Sequence, residues 1–310
     1  WEFLSDFGIE GDKRLWECPD LFPMKVEGTN EYKWVLIVSI QKNAPNDGTA
    51  TSYFVGHFDG TVFKSEVENQ EWLDWGTDNY AFVTWNNVPK DDGRILGIGW
   101  MSNWQYAQIV PTENWRSAMT LPRELTLVKS KSKYSLHGLP IREFQTLRGA
   151  STALNQLEII GEKVLEGSFS ASQVELDITV NLKKTTANSF GIKLQNELGE
   201  NILIKFDKRE GKMFVDRTNS RKHKFSEDFF KNIHSAPIAF EKEKMNIRLI
   251  IDAASVEIFI NNGELSFTSI FFPSKEFSTI SLFANNGTFN IINAEIHPLK
   301  SIWNKKEEEN

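Results

Sequence analysis

Short runs rich in β-branched and aromatic residues, each cut off by Gly, Asn, Asp or Pro, recur along the chain, and no sustained helical heptad interrupts them. Tyr32 to Ile40 reads Tyr-Lys-Trp-Val-Leu-Ile-Val-Ser-Ile, the pattern of a strand buried on both faces, and Asn46-Asp47-Gly48 then turns the chain. Ser52 to Phe58 leads through Asp59-Gly60 into Val62-Phe63, a hairpin continuation. Tyr80 to Trp85 and Ile95 to Trp100 flank the turn Pro89-Lys90-Asp91-Asp92-Gly93 in the same way. Such spacing predicts an all-β barrel, sandwich or propeller, and strand counting does not choose among them.

Leu125 to Val128 and Tyr134 to Ile141 flank a basic, polar stretch, Lys129 to Lys133, after which composition shifts. The alternation then resumes in Gln173 to Leu182, Phe190 to Gln195, Ile202 to Phe206, Lys212 to Asp216, Met245 to Asp252, Ser255 to Ile260, Leu265 to Ile270, Thr279 to Ala284 and Phe289 to His297. That many short strands around one core predict an antiparallel sandwich. Asn261-Asn262-Gly263 joins two of them, and a type I′ turn needs positive φ at its two central residues, which Asn and Gly tolerate. The expected division is 1–143, a linker at 144–156, a sandwich at 157–300 and a tail at 301–310, with Lys305 to Asn310 frayed.

With 310 residues the chain can build two cores, and its net charge of -7 argues against a nucleic-acid partner, which needs clustered Lys and Arg. The cluster Arg221-Lys222-His223-Lys224 reads as a solvated turn. No apolar run approaches the roughly 20 residues of a membrane-spanning helix, so no membrane partner is expected. The single cysteine permits no internal disulfide, and no Cys/His cluster has zinc spacing, so no metal is expected. Asn286-Gly287-Thr288 matches a glycosylation acceptor, a three-residue pattern of low specificity. Nine of ten tryptophans lie at or before Trp115. Large aromatics fill cores, but their flat faces also stack on sugar rings.

The stretch Trp16-Glu17-Cys18-Pro19-Asp20-Leu21-Phe22 presses a carboxylate between an aromatic, a thiol and a proline. Burial there disfavours the charged form, so Glu17 can hold a proton near neutral pH and donate it as a general acid. The alternative is a solvated surface carboxylate. The motif resembles the Glu-Cys block of glycoside hydrolase family 32, the invertases, exo-inulinases and levanases that hydrolyse β-fructosides. Gly76-Thr77-Asp78-Asn79-Tyr80-Ala81, Gly99 to Ala107, Trp115-Arg116-Ser117-Ala118, Leu121-Pro122-Arg123-Glu124-Leu125 and Asp252 to Phe259 resemble further blocks of the family, in family order.

The resemblance implies a partial five-bladed β-propeller over 1–143 followed by a C-terminal β-sandwich. It implies a retaining hydrolysis of terminal β-D-fructofuranosyl bonds in levan, inulin or sucrose, without a cofactor, by a protein exported from the cell. Glu17 would be the acid/base. Trp104 would wall the sugar pocket, Asn103 and Tyr106 would reach sugar hydroxyls, and Asp78 would join the substrate-binding set and raise the Glu17 pKa by like-charge repulsion, although capping a turn is its simpler role. Cys18 would be a packed thiol shaping the surroundings of Glu17, since no His motif makes it a nucleophile. The nucleophile Asp and an Arg-Asp-Pro block are expected before Trp1, on N-terminal blades that this sequence lacks, and without them the chain would be inactive. A non-catalytic fructan-binding protein and an arabinan-active relative are the rival readings. The Asp78 to Trp85 and Trp100 to Ala107 blocks look more like levanases and exo-inulinases than plant or yeast invertases.

Overall fold

The computed structural model describes residues 1–67 and 69–303, so the tail expected to fray, Lys305 to Asn310, lies outside the described residues. Ten strands come first: β1 (Trp16–Lys25), β2 (Tyr32–Ile40), β3 (Ala50–Phe58), β4 (Phe63–Ser65), β5 (Glu71–Trp72), β6 (Tyr80–Thr84), β7 (Ile95–Met101), β8 (Ala118–Met119), β9 (Arg123–Ser130) and β10 (Lys133–Pro140). After a 3-10 helix at Arg142–Leu147 come β11 (Thr152–Val164), β12 (Val174–Asn181), β13 (Ser189–Gln195), β14 (Asn201–Asp207) and β15 (Lys212–Asp216). A one-turn helix, Glu227–Phe230, precedes β16 (His234–Pro237), β17 (Lys244–Asp252), β18 (Ser255–Ile260), β19 (Leu265–Ile270) and β20 (Thr279–Pro298).

Two compact units result. One comprises Trp1–Ile141 with His223–Ala236 and Glu257–Phe272, the other Arg142–Lys222, Pro237–Val256 and Pro273–Asn310. The division read from composition is continuous in sequence, whereas the units are not. The stretch read as a linker holds most of the 3-10 helix and the first residues of β11.

The first unit carries two propeller-type antiparallel sheets, ordered β1-β2-β3-β4 with β5 on β3, and β10-β9-β7-β6 with β8 on β7. Alternation along β2 explains its unbroken apolar run. Val35 and Ile37 join Phe22 and Val55 against Phe82, Leu125, Leu127 and Leu136 of the second sheet. Leu36 and Val38 face the other way, onto Phe54, Phe63 and the partly buried Phe7 and Trp16. Burying each such side chain contributes about 1.5–3 kcal/mol.

Strand β1 is the element that the residue pattern hides. Pro19 and Pro23 cannot donate to a ladder, and β1 tolerates them because it forms the edge of its sheet. Its pairing with β2 shifts register between Glu17 and Asp20, where Cys18 takes φ 49°.

In the second unit, β20 bends near Asn286 (φ 55°) and Gly287 (φ 140°). Its first half pairs with β13 and its second half with β12, while β11 runs beside both halves. One strand thereby serves both layers of the sandwich. Val174, Leu176, Ile178 and Val180 of β12 are all fully buried, as are Ile247, Leu249 and Ile251 of the adjacent β17. Their period of two is the alternation of a half-buried strand.

The β18–β19 hairpin turns at Asn262 (φ 60°) and Gly263 (φ 81°), the positive values that an Asn-Gly turn supplies. Its second strand belongs to the first unit, tied there by side chains of residues 74–78.

Candidate active site

Glu17 follows Trp16, whose ring stacks on Phe54 at 5.6 Å between centroids and whose indole N–H donates to Asp12 at 3.1 Å. Neighbouring strand residues point to opposite faces, so anchoring Trp16 in the core sends Glu17 the other way, where it is half-buried. The bulge at Cys18 then re-aims the strand. Beyond it Asp20 is fixed to β6, accepting from the Thr84 backbone N–H and hydroxyl, each at 2.7 Å.

The group that meets Glu17 is Tyr80, whose hydroxyl donates to Glu17 Oε2. Among the described residues, Glu17 Oε1 has no hydrogen-bond partner. Burial, then the hydrogen bond and charge of Glu17, push the Tyr80 phenol above its ordinary range, so it stays a neutral donor. A second bulge lies directly after it. Ala81 has φ 52°, and the β6–β7 register shifts between Tyr80 and Val83. Two non-glycine residues in the left-handed region thus flank one hydrogen bond, and strain of about 1–3 kcal/mol apiece persists where surrounding structure enforces it, typically at functional sites.

An aromatic row leads away from Tyr80. Its ring meets Trp100, its cross-strand partner, edge-on at 6.3 Å, and Trp100 packs on Trp104 at 4.9 Å. Trp104 is 50% exposed, which leaves a face free for a ligand. The chain turns there because Asn103 caps it. Its side-chain oxygen accepts from the Gln105 N–H at 2.9 Å, and its carbonyl accepts from Tyr106 and Ala107.

Asn103, Tyr106, Asp78 and Cys18 lie elsewhere than expected. Asn103 and Tyr106, expected to reach sugar hydroxyls, are both buried, with the Asn103 amide donating to the Thr77 carbonyl at 3.0 Å and the Tyr106 hydroxyl donating to Asp78. Asp78 is fully buried and presents no surface to substrate. The Gly76 N–H is capped by Asp74, at 2.8 Å, while Asp78 binds the Tyr106 hydroxyl and, at 3.0 Å, the Ile270 N–H. Cys18 is exposed rather than packed, since the bulge turns it out of the ladder. Partial desolvation and then the Glu17 charge push its thiol up, which keeps it protonated and unreactive at neutral pH.

Residue-by-residue reading did not single out Tyr80. Its signal was available: it lies in the same block as Asp78 and opens the β-rich run Tyr80 to Trp85. What could not be read was that a residue 63 positions from Glu17 closes on it.

The family model for the N-terminal domain of glycosyl hydrolases family 32 matches residues 1–138, and the model for the family's C-terminal domain matches residues 143–298. The levanase of Bacillus subtilis (strain 168) is 38% identical over 312 residues, covering 98% of this chain and 46% of that protein. The extracellular exo-inulinase of Aspergillus awamori is 30% identical over 317 residues, covering 98% of this chain and 58% of that protein. The crystal structure of exo-inulinase from Aspergillus awamori matches with a TM-score of 0.87 at 29% identity, over 98% of this chain and 60% of that one. The β-fructofuranosidase from Schwanniomyces occidentalis complexed with fructosyl-erythritol matches with a TM-score of 0.80 at 25% identity, over 92% and 60%. The chain spans about half the length of the curated relatives it matches. With both family models matched in order across blade-type sheets and sandwich, the chain belongs to glycosyl hydrolase family 32.

Proposed function

We propose that the complete protein carrying this chain hydrolyses terminal β-D-fructofuranosyl bonds of levan, inulin or sucrose with retention of configuration, and that Glu17 is its acid/base. One observation carries the reading: a half-buried carboxyl whose Oε2 is pinned by a neutral phenol while Oε1 is left open, at the head of an aromatic row ending in exposed Trp104. In a retaining glycosidase the two carboxyl groups lie about 5–5.5 Å apart. An Asp from sequence preceding Trp1 attacks the anomeric carbon, the bond to the leaving oxygen breaks, and the Glu17 carboxyl gives that oxygen its proton. In the second step the Glu17 carboxylate removes a proton from water as the water attacks the same carbon and frees the Asp. Tyr80 holds Glu17 in place through both steps, and the Trp104 ring offers an apolar wall to the fructosyl C–H face. The relatives titled extracellular support placing the protein outside the cell, where polymeric fructans are met.

The test is Glu17→Gln in the complete protein. Turnover of sucrose and levan should fall by about 100-fold to 10,000-fold, the usual contribution of general acid–base catalysis. Near-normal turnover rejects the assignment. Fructan binding without turnover in the unmutated complete protein would establish a binding module in place of an enzyme.

A further inference from the structure

We propose that Asp78 is a positioning residue for this reaction, joining the arm that carries Tyr80 to the loop that carries Trp104 and locking both onto strand β19. The inference rests on the reading of Glu17 given above, and it concerns a residue that touches neither substrate nor Glu17.

Asp78 is fully buried, and its two carboxylate oxygens serve different partners. Oδ1 accepts the Tyr106 hydroxyl, on the turn that presents Trp104. Oδ2 accepts the Ile270 N–H of β19 at 3.0 Å. Thr77 repeats the linkage: its hydroxyl lies 3.2 Å from the Tyr106 hydroxyl, and its carbonyl receives the Asn103 amide at 3.0 Å and the Thr49 hydroxyl at 2.8 Å. Four residues earlier, Asp74 accepts the Thr268 N–H at 2.8 Å and the Thr268 hydroxyl at 2.7 Å, and the Trp75 N–H donates to the Ser266 carbonyl at 2.9 Å. The approach is close enough that a Cβ on Gly76 would sit 1.9 Å from the Thr268 carbonyl oxygen.

Residues 74–78 are therefore zipped to β19 through two carboxylates, each taking a backbone N–H two residues apart along that strand. Tyr80 begins β6 only two residues later, so its hydroxyl inherits a position fixed by this zipper. A segment late in the chain thereby sets the geometry of the acid/base, although no residue of β19 reaches it. Carboxylate acceptors suit the task because hydrogen bonds to an ionised group are shorter and stronger than those to a neutral one. Site geometry held this way matters, since small misplacements weaken proton transfer strongly.

Asp78→Asn keeps the shape but removes the charge: its remaining oxygen accepts the Ile270 N–H while its N–H₂ donates to the Tyr106 hydroxyl, which must turn its proton away, so two charge-assisted bonds become weaker neutral ones. The complete protein would be assayed on sucrose and on an aryl fructoside whose acidic phenol leaves without protonation. The expected result is a fall in kcat/KM of about tenfold or more for sucrose and a much smaller fall for the aryl fructoside, the signature of an impaired general acid. Equal losses on both substrates, or wild-type kinetics, overturn the proposal. Tyr106→Phe tests the other arm without risk to packing, because its ring lies edge-on to Phe229 at 5.0 Å and stays there. It should raise KM severalfold with the ratio of the two substrates unchanged, and an unaltered KM counts against the proposal. Glu17→Gln run alongside separates the two levels. If it retains sucrose turnover, the assignment of the acid itself fails; if it abolishes turnover while Asp78→Asn is normal, only the positioning role fails.

Discussion

Arg123→Met probes the buried ionic cluster of the first unit. Arg123 is wholly buried, with Nη2 2.9 Å from Asp74 Oδ2, 2.8 Å from Glu257 Oε2 and 2.8 Å from the Thr268 hydroxyl, while its guanidinium lies 5.0 Å from the Phe259 ring centre. Its charge balances two carboxylates with almost no access to water. Removing one partner of a buried ion pair costs about 3–5 kcal/mol, because the other charge is left uncompensated. The lower end applies here: Arg123 Nε and Nη1 are buried without hydrogen-bond partners, and their desolvation penalty disappears with the side chain. With a urea slope of about 3 kcal/mol per M for a chain of this size, a loss of about 3 kcal/mol lowers the midpoint by about 1 M. Tryptophan fluorescence reports the correct unit, since nine of the ten tryptophans lie at or before Trp115.

The pH dependence has a definite sign. Burial pushes the Glu257 carboxyl up and Arg123 pulls it back. Without Arg123 the folded-state value rises further, so folding favours the protonated form. That favour is fully present below the unfolded value of about 4.5 and is lost as pH rises through the folded value, which makes the deficit of Arg123→Met smaller near pH 4.5 than at pH 7.5. The double variant Arg123→Met, Glu257→Gln removes one stranded carboxylate while keeping an acceptor for the Leu121 N–H, and should recover part of the loss. A midpoint shift below about 0.3 M for the single variant, or a double variant no more stable than the single, refutes the reasoning.

Two further outcomes are expected from the chain itself. Alkylation of Cys18 by iodoacetamide should show a pH midpoint above that of an ordinary thiol, and Glu17→Gln should move it down; an unmoved midpoint would show that the carboxylate does not act on the sulfur. In the second unit, burial pushes the Glu200 carboxyl up, but hydrogen bonds from the Ser274 hydroxyl and N–H, the Asn196 amide and the Lys222 N–H outweigh it and bring it to about 2. That stabilisation is present above the ordinary value of 4.5 and is lost as pH falls toward 2, so the protection of β14 amides, taken as exchange relative to the unstructured-chain rate at each pH, should fall over that window in the unmutated chain and change less in Glu200→Gln.

The boundaries of β2, β15, β18 and β19 follow from local alternation and turn residues, and the structure keeps them as read. The Asn262-Gly263 turn is equally local, because two positive φ values are a property of those residues. Sequence blocks also identified the family and the motif around Glu17. Strand β1 was not legible, since its prolines and its bulge erase the alternation by which strands are recognised. The partners of single side chains were not legible either. Asp78 and Tyr80 stand two positions apart in one block, yet the first turns inward to Tyr106 and Ile270 and the second meets Glu17. Which way each side chain turns is decided by segments as much as 192 residues away, where a backbone N–H left over at β19 needs an acceptor and a carboxylate needs a donor. Local chemistry determines what an element is; only the packed chain, which must satisfy every buried polar group at once, determines what each of its side chains is for.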